Sequence, residues 1–248
     1  MNGQFLSDNS VRISCVICAF NEAPRIAAVL EVVSSHPLLY EVIVVDDGST
    51  DNTLEVVRQF PSVKIISSET NQGKSAAMAA GVLAAKSDLL MLLDADLKGL
   101  SNKDVTALAE PVLRGNADVS ISLRRNSLYI FRMIGLDFVS GERVIRKDIL
   151  NEAMNEIRLL PRFGIEVFMN TQIIARRLSI SVARWTDVTQ SRKTEKLGYW
   201  KGIVAEWRMI IDLLHVHYPL ALISQTVDLL SLRVKTISIN ARKDWKST

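Results

Sequence analysis

The stretch Leu89-Leu-Met-Leu-Leu-Asp-Ala-Asp96 joins an uninterrupted apolar run to two carboxylates that follow it directly. Consecutive apolar residues are typical of a strand that is buried on both faces, as in a parallel sheet covered by helices. Where such a strand gives way to a loop, Asp94 and Asp96 can turn toward one divalent cation and leave coordination positions for substrate phosphates. Because Asp-x-Asp is also frequent in ordinary loops, the rest of the sequence must decide between a metal site and a turn.

Composition sets the class of protein. With 248 residues, of which 48% are hydrophobic, the chain can bury a full core as one large domain. Its 30 basic and 27 acidic residues nearly balance, which disfavours a nucleic-acid partner for the whole molecule. Met1 to Ser10 has no charged and then apolar leader, so we expect a cytoplasmic location.

Two cysteines lie three residues apart in an apolar segment. Cys15 and Cys18 form a Cys-x-x-Cys, but the segment around them indicates a buried strand. An odd separation in a strand points the two side chains to opposite faces. We therefore expect core packing and neither a disulfide nor a zinc site.

The first half of the chain alternates apolar runs of strand length with segments of helical periodicity. Strands are predicted at Arg12 to Ala19, Glu41 to Val45, Val63 to Ile66, Asp88 to Leu93 and Asp118 to Leu123, and helices at Ala23 to Val33, Thr53 to Phe60, Lys74 to Ala85 and Lys103 to Leu113. This alternation of strands and helices predicts an α/β fold with a mainly parallel twisted sheet and helices on both faces. We assign residues 1–200 to this domain and residues 201–248 to a helical extension with a basic tail.

Polar residues follow three of the predicted strands. The clusters are Ala19-Phe-Asn-Glu22, Asp46-Asp-Gly-Ser-Thr-Asp51 and Asp94-Ala-Asp96. Carboxyl ends of parallel strands meet at one edge of a sheet, so these clusters predict a ligand cleft there. A turn at Gly48 and a helix cap at Ser49 explain part of the second cluster and are compatible with a ligand contact.

Asn71-Gln-Gly-Lys74 precedes an alanine-rich helix. Unsatisfied N–H groups at a helix start and the charge of Lys74 together favour a bound phosphate. The spacing is not that of a P-loop, which disfavours nucleoside triphosphate hydrolysis. A nucleotidyltransferase normally has a glycine-rich loop directly after the first strand. The segment Ala19-Phe-Asn-Glu22 is not such a loop, which disfavours this function.

Taken together, these motifs resemble the family 2 glycosyltransferases, which share the nucleotide-sugar-binding GT-A fold. The resemblance runs in order and spacing over roughly the first half of the chain. The second half is similar to a narrower subgroup, the glucosyl-phosphoglycerate synthases and related bacterial sugar transferases. The segments that carry this second similarity are Ser140-Gly-Glu-Arg143, Phe163-Gly-Ile-Glu166 and Lys193-Thr-Glu-Lys196.

The resemblance implies transfer of a hexose from a UDP- or GDP-sugar, with Mg²⁺ or Mn²⁺ bridging the diphosphate. It implies a nucleoside pocket lined by Phe20, Asn21 and Glu22, with Asp47 on the base or ribose. It further implies a diphosphate contact from Gly73 and Lys74. The implied metal ligands are Asp96, Asp94 and Gln190, and the resemblance leaves a contact with the ribose as an alternative for Asp94.

Glu166 is the candidate general base for an acceptor hydroxyl, and its alternative role is a helix-start carboxylate favoured by the helix dipole. Two positions depart from the family pattern. Val167 replaces the second acid of a frequent Glu-Asp pair, and Gln190 stands where subgroup members place a histidine. Glu142 and Arg143, after a predicted strand at Asp137 to Ser140, are expected to form an ion pair or an acceptor contact.

The carboxyl-terminal segment is predicted to be helical from Gly202 to Leu232, with a kink at Pro219. Its uncharged stretch from Leu213 to Val227 is too short for a membrane span. Packing on the sheet, or on a second subunit to form a homodimer, is favoured over peripheral contact with the inner face of the membrane. His215 and His217 diverge on a helix and do not share a metal, and His36 has no evident partner.

The favoured function is therefore metal-dependent hexosyl transfer, with catalytic roles for Asp96 and Glu166. Three acceptors stay open, namely a phosphoglycerate-like molecule, another sugar, and a polyprenyl phosphate at the membrane surface. The alternative is a non-catalytic nucleotide-sugar sensor or assembly subunit. Val167 and Gln190 favour that alternative, and the Asp94/Asp96 pair disfavours it.

Overall fold

The computed structural model describes residues 12–151, 157, 164–190 and 219–234. The strands are β1 (Ile13–Ala19), β2 (Leu39–Asp46), β3 (Val63–Ser67), β4 (Leu89–Asp94), β5 (Leu97–Lys98), β6 (Val119–Arg124), β7 (Arg143–Arg146), β8 (Ile180–Trp185) and β9 (Thr189–Gln190). The helices are α1 (Ile26–Val33), α2 (Thr53–Val57), α3 (Lys74–Ala84), α4 (Asn102–Leu113), α5 (Tyr129–Ile134), α6 (Asp148–Asn151), α7 (Gly164–Ala175) and α8 (Pro219–Ser231).

The central sheet has seven strands in the order β3-β2-β1-β4-β7-β6-β8. The pairs β1/β2, β1/β4, β2/β3 and β6/β8 are parallel, and β7 runs antiparallel to both β4 and β6. This architecture confirms the predicted α/β fold with a mainly parallel sheet. A second, two-stranded sheet pairs β5 with β9 and thereby brings Gln190 beside the segment that follows β4.

The apolar run of β4 packs on both faces of the sheet, as its sequence predicts. Leu90 and Leu92 join one core cluster with residues of α3, α7 and α8, while Met91 and Leu93 join the other with α1 and α4. Cys15 and Cys18 likewise contact opposite clusters, and both are free thiols. Burial raises the pKa of Cys18 to about 12, so the thiol is a poor nucleophile.

Several predicted boundaries shift for local reasons. The chain makes a turn after Glu22, whose carbonyl accepts from the Arg25 amide at 2.9 Å, so α1 begins at Ile26 and not at Ala23. The sequence also predicts a helix at Val167 to Leu178, and this helix, α7, begins at Gly164 and ends at Ala175. It stops because Arg177 adopts a left-handed conformation, with φ of 51°.

The predicted strand at Asp137 to Ser140 is wrong. These residues form a turn, in which the Ser140 amide donates to the Asp137 carbonyl at 3.1 Å. The Asp137 carboxylate also accepts from the Val139 amide at 3.2 Å, an arrangement that competes with a strand ladder. The strand comes afterwards, at Arg143–Arg146.

His36 has partners that the sequence did not reveal. The ring is buried, and its Nε2 lies 3.2 Å from both the Asn102 carbonyl oxygen and Thr106 Oγ1. His36 thus ties the loop before β2 to the first two turns of α4. The expectation that it has no partner is wrong.

Only the last part of the predicted carboxyl-terminal helix lies within the described residues. This part, α8, packs on α7, and the chain beyond it joins the edge of β8, where the Ile180 amide donates to the Leu232 carbonyl at 2.9 Å. His215, His217, the basic tail and the segment Lys193-Thr-Glu-Lys196 lie outside the described residues. The boundary at residue 200 and the homodimer stay predictions. Among the described helices, none is long and apolar enough to cross a membrane.

Candidate active site

Two carboxylates converge on one lysine at the carboxyl end of β4. Lys74 Nζ, at the first residue of α3, donates to Asp94 Oδ1 at 3.0 Å and to Glu166 Oε1 at 2.8 Å. Asp94 is the last residue of β4, and Glu166 lies in the first turn of α7. The structure therefore brings together three residues that the sequence analysis selected from separate motifs.

Asp94 Oδ2 has further polar neighbours. Gln190 Nε2 donates to this oxygen at 2.9 Å, and Arg124 Nη1 lies 3.9 Å away. The pairing of β5 with β9 holds Gln190 in place, because Leu97 lies opposite Gln190 in that small sheet. We refer to Lys74, Asp94, Arg124, Glu166 and Gln190 as the Asp94 cluster.

The charges of the Asp94 cluster stabilise one another. Burial opposes ionisation of Asp94, but the neighbouring Lys74 and Arg124 lower its pKa below the ordinary value. Burial likewise opposes ionisation of Lys74, whereas Asp94 and Glu166 raise the pKa of Lys74 well above its usual range. Asp94 is therefore ionised and Lys74 protonated at neutral pH.

A glycine lets the chain approach this cluster closely. A Cβ atom added at Gly141 would lie 2.9 Å from Lys74 Nζ and 3.0 Å from Asp94 Oδ1. Any side chain there would collide with the ion pair or displace it. The motif Ser140-Gly-Glu-Arg143 thus contributes a close backbone approach, which sequence reasoning missed.

A buried charge network lies behind the cluster. The guanidinium of Arg124 contacts Glu142 and lies 3.6 Å from Asp137 Oδ2. Glu142 is fully buried and also accepts a hydrogen bond from Ser122 Oγ at 2.8 Å. Although burial opposes it, the carboxylates around Arg124 raise its pKa above the ordinary value. Burial raises the pKa of Asp137, with Arg124 opposing that shift.

The expectation that Glu142 and Arg143 form an ion pair is wrong. Glu142 pairs with Arg124, whereas Arg143 Nη1 donates to Asn170 Oδ1 at 3.1 Å and Nη2 donates to the Ser140 carbonyl. Successive side chains at a strand point to opposite faces of the sheet, which explains why the two neighbours find different partners.

The predicted nucleoside-pocket residues lie at the ends of β1 and β2. Phe20 is 43% exposed, and its contact with a nucleoside stays a prediction. Asn21 adopts a left-handed conformation with φ of 56°, and its Oδ1 accepts from the Thr50 amide at 2.8 Å. Glu22 forms an ion pair with Arg25. Asn21 therefore ties the end of β1 to the loop after β2.

Asp47 orders the loop that leads into α3. Its buried carboxylate accepts from the backbone amides of Gln72, at 2.9 Å, and Gly73, at 2.8 Å. Gly73 has φ of 93°, a conformation that disfavours other residues, and no side chain in the described part of the chain caps the start of α3. Asp47 thus positions Gly73 and Lys74, and its contact with a base or ribose stays a prediction.

Asp96 and Glu166 are both almost fully buried, with 7% and 2% of their surface exposed. Within the described residues, Glu166 Oε2 is buried without a hydrogen-bond partner. The same part of the chain contains no group of three histidine, cysteine, aspartate or glutamate side chains arranged around a metal position. The metal site at Asp94 and Asp96 therefore stays a prediction.

Comparison with known proteins decides the family. The sequence profile of glycosyl transferase family 2 matches residues 14–155, more than half of the chain. The chain belongs to glycosyl transferase family 2. It is 32% identical over 240 aligned residues to the dodecaprenyl-phosphate galacturonate synthase of Rhizobium johnstonii, covering 84% of this chain and 67% of that protein. It is 33% identical over 225 residues to a dolichyl-phosphate beta-glucosyltransferase of Trichomonas vaginalis, covering 74% of this chain and 68% of the relative.

A solved structure supports the fold of this family 2 enzyme. The glucosyl-3-phosphoglycerate synthase of Mycobacterium tuberculosis, crystallised with Mn²⁺ and uridine-diphosphate-glucose, matches with a TM-score of 0.63 and 23% identity. The match covers 82% of this chain and 78% of that structure. The predicted GT-A fold is confirmed, and so is the prediction that the protein is a glycosyltransferase. The non-catalytic sensor is not supported.

Arg124 is a residue of the site that was not predicted from the sequence. Like Asp94, it is a charged residue at the end of a buried strand, but its strand, Val119–Arg124, contains two serines and does not stand out as an apolar run. Phe163 of the motif Phe163-Gly-Ile-Glu166 lies outside the described residues. Val167 is buried in α7 and therefore acts as a core residue in this position.

Replacement of Arg124 tests the buried network. Arg124→Met leaves the fully buried Glu142 without its cationic partner, and we expect the free energy of unfolding at pH 7 to fall by about 3–5 kcal/mol. Urea unfolding measures the change. The neighbouring Arg125→Met is the matched control, because Arg125 is exposed, and it should change stability by less than about 0.5 kcal/mol.

A second replacement separates lost pairing from lost packing. In the Arg124→Met background, Glu142→Gln removes the buried charge and should recover more than half of the lost stability. Equal stability of Arg124→Met and Arg125→Met, or no recovery in the double variant, would contradict the role given to this network.

Proposed function

We propose that this enzyme transfers a sugar from a nucleotide-diphosphate sugar to the phosphate group of a polyprenyl phosphate. The observation that carries the proposal is the convergence of Asp94, Lys74 and Gln190 at the carboxyl end of β4 and the start of α3. In an open α/β sheet, this edge is where ligands bind.

The start of α3 suits the diphosphate of the donor. The helix has 11 residues and no side-chain cap from the residues that the structure describes, so its first amides and the positive end of its dipole suit an anion. Lys74 adds a full positive charge at the same place. Asp47 fixes the preceding loop by accepting from the Gly73 amide. These features support the roles predicted for Gly73 and Lys74.

The charge balance of the site favours a divalent cation. The residues in and behind the Asp94 cluster include the cationic side chains of Lys74, Arg124 and Arg143, against the carboxyl groups of Asp94, Asp96, Asp137, Glu142 and Glu166. Within this set of described residues, carboxylates outnumber cations by two when all are ionised. A bound Mg²⁺ or Mn²⁺ would offset this excess.

The donor atoms also fit such an ion. Asp94 and Asp96 supply carboxylate oxygens, the ligands that Mg²⁺ takes together with substrate phosphates. Gln190 donates to Asp94 and so orients it, and rotation of its amide group would present Oε1 instead. The Mn²⁺ in the mycobacterial relative supports this assignment. When bound, the ion stabilises the negative charge that develops on the leaving diphosphate.

The side chains of the protein stabilise the leaving group and position one another for the transfer. An oxygen of the acceptor phosphate attacks the anomeric carbon, the bond from that carbon to the donor phosphate breaks, and the nucleoside diphosphate leaves with the electron pair. Lys74 is placed to stabilise the leaving group. Glu166 accepts a hydrogen bond from Lys74 and holds the ammonium in position. Since the acceptor phosphate is already ionised, the reaction needs no general base.

The sequence relatives support this acceptor. Dodecaprenyl-phosphate galacturonate synthase and dolichyl-phosphate beta-glucosyltransferase both act on polyprenyl phosphates by name, and both are over 30% identical to this chain. The mycobacterial structure is more distant in sequence. About a third of each sequence relative lies outside the match, so substrate choice has to be tested directly.

A second candidate acceptor is a soluble hydroxyl compound such as 3-phosphoglycerate. The buried Glu166 Oε2, which has no hydrogen-bond partner among the described residues, favours it, because a free carboxylate oxygen can accept the proton of a hydroxyl group. In that reaction Glu166 would be the general base that the sequence analysis predicted.

Loss of Asp96 should abolish transfer without unfolding the protein. We expect Asp96→Asn to lower kcat by about 100-fold or more, because a metal ligand provides several kcal/mol of charge stabilisation. The matched control is Asp88→Asn, an exposed aspartate immediately before β4 at the opposite end of the strand. Control activity and the thermal unfolding of both variants should stay near wild type. Wild-type turnover of Asp96→Asn with saturating donor would contradict the metal role.

Replacement of Glu166 distinguishes the two acceptors. Glu166→Gln keeps a hydrogen-bond acceptor for Lys74, so transfer to undecaprenyl phosphate should fall by no more than roughly tenfold, with an unchanged pH profile. A general base contributes about 10²–10⁴-fold to the rate. A loss of that size, or activity of the wild-type enzyme on 3-phosphoglycerate and not on undecaprenyl phosphate, would refute the proposed acceptor.

A further inference from the structure

We propose that the surface around α5 docks on an anionic phospholipid bilayer. We define this α5 surface by Arg125, Tyr129, Arg132, Met133, Arg184 and Arg233. It lies on α5 and the segments next to it, directly after the carboxyl end of β6. The inference is independent of the acceptor proposed above, since it concerns only how the protein binds a lipid surface.

Large apolar side chains of α5 face away from the core. Tyr129 is 76% exposed and Met133 is 70% exposed, and their spacing of four residues places them on one side of the helix. Between them, Phe131 is buried and packs edge-on against Phe138, with ring centroids 4.9 Å apart. The helix is thus anchored by Phe131 and presents an aromatic ring and a thioether to the exterior.

The same surface carries unpaired positive charge. Arg125, Arg132 and Arg184 are exposed and form no ion pair with a carboxylate in the described part of the chain. Exposed arginines commonly find an acidic neighbour, as Arg114 does with Glu110 and Arg146 with Asp148. A cluster that lacks one retains its full attraction for an external anion.

Two guanidinium groups approach each other at the end of α5. A Cβ atom added at Gly135 would lie 2.6 Å from Arg233 Nη1 and 3.3 Å from Arg184 Nη2. Arg233 Nη1 also lies 3.3 Å from the Ile134 carbonyl oxygen, which accepts its hydrogen bond. Like charges held this close repel each other, and a phosphate group bound between them would offset the repulsion.

A cavity of about 530 Å³ opens in this surface and is lined in part by Arg125, Tyr129, Arg132, Arg184 and Arg124. Arg124 also lies 3.9 Å from Asp94 and so connects the α5 surface to the active site. Arginines beside an aromatic ring and a methionine match the interface of an anionic bilayer, where phosphate groups lie next to acyl chains. Docking here would place the Asp94 cluster near the lipid surface.

Vesicle flotation with the full chain tests the inference. The wild-type protein should float with phosphatidylcholine vesicles that contain phosphatidylglycerol, bind pure phosphatidylcholine far more weakly, and be released as salt increases. Each arginine near such a surface contributes about fivefold to partitioning, so Arg125→Gln/Arg132→Gln should lower it by about 25-fold. Tyr129→Ser/Met133→Ser should lower binding at every salt concentration.

The control variants replace an arginine and a large apolar side chain that are exposed at other places on the surface. Arg58→Gln changes an exposed arginine after α2, and Leu83→Ser changes a side chain of α3 that is 49% exposed. Neither should change flotation, and all variants should unfold near the wild-type temperature because the replaced side chains are exposed. Arg132→Glu alone serves as a second, single-site test and should weaken binding more than Arg58→Glu does.

Three results would overturn the proposal. They are the absence of wild-type binding to phosphatidylglycerol vesicles, unchanged binding of the α5 variants, and an equal loss in the α5 and control variants. Unchanged binding of the α5 variants would assign the lipid contact to other residues. The absence of wild-type binding would favour an acidic protein partner for the α5 surface.

Discussion

The Lys74 ammonium, held between the carboxylates of Asp94 and Glu166, is the interaction on which the site depends. It joins the end of β4, the start of α3 and the first turn of α7, so three parts of the fold must be in place before it forms. In a partly buried setting such charges interact more strongly than in water, and leaving one unpaired is costly. A ligand whose phosphate attracts the Lys74 ammonium therefore changes the charge pairing of the whole Asp94 cluster.

The antiparallel strand β7 makes this arrangement possible. It lies between β4 and β6, and the residues before it bring Gly141 against the ion pair and Glu142 against Arg124. Arg124 in turn lies within reach of Asp94 and leads into α5. The proposed donor site, the buried charge network and the exposed α5 surface thus lie along one edge of the sheet. This continuity suits an enzyme that combines a water-soluble donor with a lipid-linked acceptor.

The sequence predicted the parallel half of the sheet well, because strands such as β4 are buried on both faces and stand out as unbroken apolar runs. It misplaced β7, because this strand contains a fully buried arginine, Arg143, and follows a serine-containing turn. Asp94, Lys74 and Glu166 were each selected from local motifs. Their contact could not be derived, since Lys74 and Glu166 are 92 residues apart and only the packing of α7 brings them together.

Calorimetric titration of the wild-type protein with sugar nucleotides, in Mn²⁺ or Mg²⁺ and again in excess chelator, tests the central claim most directly. The account predicts saturable binding of at least one uridine- or guanosine-diphosphate sugar with the metal present, and loss of most of that affinity in chelator, because Asp94 and Asp96 would hold the ion together with oxygen atoms of the donor phosphates. Equal affinity in chelator, or no binding of any such donor with metal present, would contradict it.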